Sequence, residues 1–179
     1  MSKTVTSACV IIPPKRIWPP IQAIRRKHDK RFERWMPHIN LLYPFRPKGE
    51  YDKIERDFRD VLQRIEPFEI ILKNFKFFRH KFQTYTIWLN PVPNEPIIRL
   101  QRQLLKNAPE CNDVNRFQGG YKPHLSVGQF TTYKIHEKIE KLEEKWEELR
   151  FTVDKVFFIS RKNTKNSTFL VEEEFPLKT

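Results

Sequence analysis

Two short segments constrain this chain more than anything else in it: Pro37-His38-Ile39-Asn40-Leu41 and Pro123-His124-Leu125-Ser126-Val127. Both read Pro-His-apolar-polar-apolar. Each is short, apolar at alternate positions and preceded by a residue that cannot continue a helix, so each reads as a buried β-strand. Successive side chains of a strand point to opposite faces. His38 and Asn40 therefore share one face, and Ile39 and Leu41 enter the core. His124 and Ser126 stand in the same relation to Leu125 and Val127. Each strand offers one imidazole beside one hydrogen-bonding side chain.

The surroundings of the two motifs repeat. An apolar run at 8–12 reads as a first strand, followed by an Arg- and Lys-dense helix over 21–35 and the His38 strand over 38–45. Ile54, Phe58, Val61, Leu62 and Ile65 recur at helical spacing over 51–65. Two β-rich runs, 68–78 and 84–89, flank the polar turn Arg79-His80-Lys81 as a hairpin. After a Pro-rich break come a helix over 97–105, a loop over 109–120 and the His124 strand over 124–130. A helix over 135–149 and a second hairpin, 151–159 with 168–173 around Arg161 and Lys162, complete the chain. The histidines lie 86 positions apart, and that offset carries Tyr51, Phe68 and Thr84 into the second helix and the two strands of the second hairpin. The pattern is an internal structural duplication. It predicts an α+β fold of two pseudo-symmetric lobes, each an antiparallel sheet with outer helices, around a central cleft. The whole chain, 1–179, is expected to form one domain, lobe 1 centred on the 38–90 half and lobe 2 on the 124–174 half.

Composition narrows the function. The formal net charge is +12, with basic residues spread along the chain rather than gathered in a tail. That points to a folded positive face and an anionic partner such as RNA or a small ribonucleotide. The two cysteines, Cys9 and Cys111, form no Cys-x-x-Cys pair, which suits a reducing compartment. Cytoplasm or nucleus is the expected location, without membrane attachment, and the protein is expected to be a monomer. The four glycines form no Gly-x-x-x-x-Gly-Lys loop, and no Gly-x-Ser-x-Gly elbow occurs. No metal-ligand spacing stands out, so neither a metal nor another cofactor is expected.

Paired imidazoles suit phosphodiester chemistry. A neutral imidazole can take a proton from an attacking water or ribose hydroxyl, and a protonated one can give a proton to the leaving oxygen. Ser126 and Asn40 can donate hydrogen bonds to the non-bridging phosphate oxygens. Tyr121 and Lys122 are placed to line the cleft mouth, and Phe117 and Tyr121 to stack on a base. Arg79 and Arg161, in corresponding hairpin turns, are placed to funnel phosphate inward. His28 and His136 lie in charged helical stretches and are expected to be solvated.

The segments Pro37-His38-Ile39-Asn40-Leu41-Leu42-Tyr43-Pro44-Phe45 and Tyr121-Lys122-Pro123-His124-Leu125-Ser126-Val127-Gly128-Gln129 make the chain resemble the 2H phosphoesterase superfamily, also called LigT-like or 2′-5′ RNA ligase-like. That family carries His-x-Ser/Thr-x twice in a two-lobed α+β fold. The resemblance implies His38 and His124 as the catalytic pair and Ser126 as a phosphate contact. It implies metal-free cleavage of 2′,3′-cyclic phosphates or of 2′-5′-type ribonucleotide diesters. Members also act on oligoadenylates and cyclic dinucleotides, which leaves a signalling-nucleotide phosphodiesterase as an alternative. Asn40 departs from the pattern, standing where Ser or Thr is usual, and motivates another alternative: a catalytically silent RNA- or nucleotide-binding module. A purely structural, charge-rich domain would instead keep the two histidines apart or buried in the core.

Overall fold

The computed structural model describes residues 2–179. Its strands are β1 (Ser7–Ile11), β2 (Ile39–Leu42), β3 (Phe68–Arg79), β4 (Thr84–Val92), β5 (Leu125–Thr131), β6 (Leu149–Val153), β7 (Lys155–Ser160) and β8 (Leu170–Pro176). Its helices are α1 (Trp18–His28), α2 (Tyr51–Leu62), α3 (Glu95–Leu105) and α4 (Ile135–Glu144). The strands form two four-stranded antiparallel sheets, ordered β2-β1-β7-β8 and β5-β4-β3-β6. The architecture is α+β with two lobes.

The expected assignment of one lobe to each half of the chain is corrected by the strand order. β3 leaves the first half and pairs in the sheet of His124, whereas β7 and β8 join the sheet of His38. β4 is both the second arm of the first hairpin and the counterpart of β1, since β1-α1-β2 and β4-α3-β5 each place a His motif after a strand and a helix. Helices cross as well: α1 packs on β5 and α3 on β2. The supposed single strand over 151–159 breaks at Asp154, where the chain passes from one sheet to the other: Phe151 pairs with Ile70, and Phe158 with Cys9. Alternation of apolar residues cannot reveal which sheet a strand joins.

Local physics explains the elements. Pro19 and Pro20 sit in the first turn of α1, where a missing N–H leaves no helical bond unmade. α1 stops at His28 rather than running to 35, because Asp29 turns to an extended conformation. α2 buries Tyr51, Ile54, Phe58 and Leu62 along one face. α4 ends at Glu144, short of the expected 149, and its end is tied to β3: Phe75 N–H donates to Glu143 Oε1 (2.9 Å) and Trp146 Nε1 to the Leu72 carbonyl (3.0 Å). Ile39, Leu41, Leu125 and Val127 are fully buried, whereas His38, Asn40, His124 and Ser126 are half-buried, as period-two alternation requires.

One glycine fixes how close the lobes approach. Gly128 in β5 has φ +151°, and a Cβ there would lie 2.6 Å from His28 Cβ and 2.7 Å from the His28 carbonyl carbon. No side chain fits between α1 and β5 at this point. His28 is therefore a packing residue rather than a solvated one, stacked on Phe130 with ring centroids 4.3 Å apart. His136 is exposed, with its ring edge-on to Phe77.

Candidate functional site

The two histidines are held in the same way. His38 Nδ1 hydrogen-bonds the Met36 carbonyl (2.7 Å), and His124 Nδ1 the Lys122 carbonyl (2.7 Å). In each motif the ring turns back on the backbone two residues upstream. A carbonyl can only accept, so both neutral rings carry their proton on Nδ1 and present an unprotonated Nε2.

β2 and β5 meet across the cleft, and Tyr121 Oη donates to the Asn40 carbonyl (2.7 Å), tying one motif to the other. His38, Asn40, Ser126, Gln129, Tyr43 and Arg161 line a cavity of about 290 Å³, closed on one side by the 29–35 segment through Arg31, Arg34 and Trp35. His124 immediately precedes β5, two residues from Ser126, which lines the cavity. Its ring is surrounded by Phe78 (centroids 5.0 Å), Trp88 (5.7 Å) and Phe117 (6.0 Å). Trp35 stacks on His38 at 4.4 Å and on Phe169 at 3.9 Å. Each imidazole thus has aromatic walls.

Those walls set the protonation. Burial lowers the His38 pKa from 6.5 to about 4, opposed by the Met36 hydrogen bond and assisted by positive charge on Arg25 and on His124. Burial also lowers the His124 pKa, opposed by its bond to the Lys122 carbonyl.

Arg25 organises the cleft wall. It is buried in the last turn of α1, where Nε donates to Asp29 Oδ2 (2.9 Å), Nη1 to Gln22 Oε1 (2.8 Å) and Nη2 to the Trp35 carbonyl (2.8 Å). One guanidinium therefore ends the helix, shapes the 29–35 segment and sets Trp35 against His38. Lys30 N–H donates to Gln129 Oε1 (3.0 Å), anchoring the same segment to β5.

Several expected site residues occupy other places. Tyr121 is buried, with its hydroxyl committed to Asn40, so it is a brace between strands and not a stacking surface. Lys122 is exposed, and its backbone carbonyl is the atom that holds His124. Phe117 does stand beside His124, stacked on Phe78 (4.9 Å). Arg79 pairs with Tyr85 on the face of the β3-β4 ribbon that carries Phe77, opposite Phe78 and Trp88, so the hairpin does not aim it at the cleft. Arg161 does line the cavity, with Nη1 donating to Ser167 Oγ (3.1 Å). Arg25, Asp29, Arg31, Arg34, Trp35, Tyr43, Phe78, Trp88 and Gln129 escaped sequence reasoning. For Arg25, Asp29, Arg31, Arg34 and Trp35 the only signal was the density of Arg and Lys in the stretch read as one long helix; Tyr43 and Gln129 lie within the two quoted motif segments, and nothing pointed to Phe78 or Trp88.

Unpaired polar atoms concentrate here. Among the described residues, five buried side-chain atoms lack a hydrogen-bond partner, and three of them are Asn40 Oδ1, Trp88 Nε1 and Arg161 Nε. Trp88 lies directly across from Ser126 in the β4-β5 register. Buried polar groups are nearly always satisfied, so exceptions gathered at one cleft mark a place where a ligand completes the bonding. No group of three or more His, Cys, Asp or Glu able to hold a metal occurs among the described residues. No helix among them is long and apolar enough to cross a membrane.

The model of the 2'-5' RNA ligase superfamily matches residues 13–165, which takes in both His motifs and most of the chain. The chain belongs to the 2'-5' RNA ligase superfamily. A Geobacillus kaustophilus protein, whose name gives phosphoesterase as its supposed activity, is 28% identical over 121 residues, and the match spans 67% of this chain and 66% of that relative's length. Solved structures share the superfamily fold. TT0787 of Thermus thermophilus is 15% identical with TM-score 0.63, covering 96% of this chain and 97% of that one. E. coli LigT in apo form is 15% identical with TM-score 0.60, covering 99% and 100%. At these identities the likeness is one of fold.

Proposed function

We propose that this chain is a phosphodiesterase that cleaves 2′,3′-cyclic phosphate or 2′-5′-type ribonucleotide diester bonds by metal-independent acid–base catalysis at His38 and His124. The matched Nδ1–carbonyl hydrogen bonds of the two rings carry this reading, because they leave both Nε2 atoms free, His38 lining the cavity and His124 two residues from Ser126, which lines it. Membership of the superfamily supports it. So do the structures of E. coli LigT complexed with 3'-AMP and with ATP, which make a nucleotide the natural ligand to test.

In hydrolysis, neutral His38 takes a proton through Nε2 from the attacking water as its oxygen bonds to phosphorus. The phosphorus–oxygen bond to the leaving ribose oxygen breaks, and that oxygen receives a proton from Nε2 of protonated His124. His38 has the base role because it is the ring more strongly held neutral. A bound phosphate brings negative charge to the site and raises the His124 pKa, which supplies the acid. Ser126 Oγ and the Asn40 amide have no protein partner among the described residues and are available to the non-bridging oxygens. Arg31, Arg34 and Arg161 add positive potential where charge builds up.

The test is a substrate panel: a 2′,3′-cyclic mononucleotide, 2′-5′- and 3′-5′-linked oligomers, and a mixed-linkage cyclic dinucleotide, with wild type and His38→Ala. Turnover of the first two classes, lost in the variant and unaffected by EDTA, is expected. Turnover confined to the cyclic dinucleotide, or to 2′-5′ oligoadenylate, would instead identify a signalling-nucleotide phosphodiesterase. A second reading rests on Asn40, which replaces the usual hydroxyl: a silent binding module would bind oligonucleotides with strong salt dependence and release no product. Inhibition by EDTA would contradict the metal-free scheme.

The pH dependence follows from the cleft walls. Because kcat/KM reports the free enzyme, its acid limb is expected near pH 4, where His38 becomes protonated, rather than near 6.5. Trp35→Ala opens the stack on His38 and should move that limb upward. An acid limb that stays near 6.5 in the wild type would exclude His38 as the base. Stability changes over the same range. Below pH 6.5 the unfolded chain takes up a proton at His38 that the folded chain refuses until about 4, so stability falls as pH drops between the two values.

A further inference from the structure

Positively charged hollows adjoin the cleft. Beside it lies a second hollow of about 530 Å³ whose charged lining is Lys30, Arg31, Arg34, Lys165 and one carboxylate, Glu33. Arg31 and Arg34 line both cavities, so the two share a wall. A third hollow, lined by Arg161, Lys162 and Ser167 among others, adjoins them through Arg161 and Ser167.

This annex is built by tertiary hydrogen bonds between two distant segments, the α1–β2 connection and the β7–β8 turn. Phe169 N–H donates to the Arg34 carbonyl (2.9 Å), Thr168 Oγ1 to the Glu33 carbonyl (2.8 Å), and Arg34 Nη2 to the Lys165 carbonyl (2.8 Å). The Arg34 side chain is thereby fixed before any ligand arrives. Fixing it in advance reduces the ordering cost of binding.

Its positive charge is in excess, and its cations form no ion pairs. Cations elsewhere find carboxylates: Arg25 with Asp29, Arg46 with Glu110, Lys48 with Glu172, Arg150 with Glu69 and Glu148. No ion pair among the described residues involves Lys30, Arg31, Arg34, Arg161, Lys162 or Lys165. The guanidiniums of Arg161, Arg31 and Arg34 all act on the Tyr43 hydroxyl, opposing the rise in its pKa that burial causes, so they converge on one point of the wall. Six like charges gathered around these adjoining hollows, with Glu33 beside them, repel one another, and an anion relieves that repulsion.

We propose that the hollow between the α1–β2 connection and the β7–β8 turn binds a second phosphate of the substrate, adjacent to the one at the histidines. The proposal rests on the phosphodiesterase reading for the identity of the first phosphate and extends it to a substrate class. The preferred substrate carries at least two phosphates, and a cyclic mononucleotide with a free 5′-hydroxyl is a poor one. The second phosphate has two possible sources: the next internucleotide linkage of an oligoribonucleotide, or a terminal phosphate on a single nucleotide.

The test compares kcat/KM for three substrates: adenosine 2′,3′-cyclic phosphate, its 5′-phosphorylated form, and a dinucleotide with a 5′-hydroxyl and a 2′,3′-cyclic phosphate end. Wild type is compared with a Lys30→Gln/Lys165→Gln double variant. Both lysines are exposed, and neither side chain makes an ion pair, so the fold should be kept; equal melting temperatures check this. Wild type should favour a two-phosphate substrate by about tenfold or more, on the scale of one or two charge-assisted hydrogen bonds. The double variant should lose most of that preference and turn over the simple cyclic nucleotide unchanged. Preference for the 5′-phosphorylated mononucleotide over the dinucleotide identifies a terminal phosphate as the source, and the reverse an internucleotide one. Equal kcat/KM for all three substrates in the wild type, or an unchanged preference in the double variant, overturns the proposal.

A separate calorimetric arm measures binding of adenosine 3′,5′-bisphosphate and adenosine 3′-monophosphate to both proteins. Tighter binding of the bisphosphate by wild type alone supports the second site even if nothing is hydrolysed, in which case the phosphodiesterase reading fails and this one stands. Equal affinities for the two ligands overturn the second site.

Discussion

His124→Ala is expected to lower kcat by about two to four orders of magnitude, the range for loss of one positioned proton-transfer group. KM should change little, because Ser126, Asn40 and the arginines that border the cavity remain. His38→Ala should cost a similar amount. The double variant should be little worse than either single one, since both rings serve the same proton-transfer sequence and removing one disables it. Melting temperatures matter as a control. Each ring is half-buried and donates to a local carbonyl, so some stability is lost with it. A His124→Ala protein with full activity on the cleaved substrate would end the acid–base scheme, whatever the behaviour of His38→Ala.

Arg25→Met is expected to have the largest effect on stability among substitutions outside the core. The guanidinium is 1% exposed and closes the only carboxylate partnership that Asp29 makes among the described residues. Removing it takes the positive partner from a buried carboxylate, which keeps only the Arg31 N–H, and leaves the Trp35 carbonyl without its donor. Breaking one side of a buried pair costs about 3–5 kcal/mol, which lowers the melting temperature of a chain of this size by roughly 10 °C. Activity should fall too, because Trp35 is no longer held against His38. An Arg25→Met/Asp29→Leu protein separates the two effects. With the stranded charge gone, it should regain most of the stability; with the Trp35 carbonyl still unanchored, it should not regain the activity. Recovery of both together would show that Arg25 serves the fold alone.

The two His motifs were legible because strand alternation is a local rule: once Ile39, Leu41, Leu125 and Val127 are assigned inward, the polar partners must face the other way. α2 was legible for the same kind of reason, its apolar residues recurring every third or fourth position. The rest depends on partners far away in sequence. α1 stops early because Arg25 reaches Asp29 and Trp35, which helical periodicity does not register. Tyr121 has the composition of a stacking residue and the position of a brace, and only the approach of β5 to β2 decides between them. Arg79 and Arg161 occupy matching turns in the sequence, yet pairing of Arg79 with Tyr85 turns it from the cleft, while Arg161 lines it. Gly128 reads as an unremarkable strand glycine until α1 is laid against it. Sheet membership was the largest gap, since no pattern within β3 or β7 names the edge it will join.

That exchange of strands has a consequence for how the protein comes into being. During synthesis the N-terminal half emerges first, but β1 waits for β7 to cover its second edge, and β3 has β5 as a sheet-mate only after both have been made. One sheet cannot be completed until β6, ending at Val153, has left the ribosome, and the other not until β8, ending at Pro176, so the nascent first half exposes unpaired edges and an unfilled apolar face. The His124 ring finds its walls, Phe78, Trp88 and Phe117, as soon as β5 is made, whereas the stack behind His38 is finished only when Phe169 reaches Trp35. A ribosome stalled between β4 and β5 would therefore display a chain with His38 already translated and no site at all.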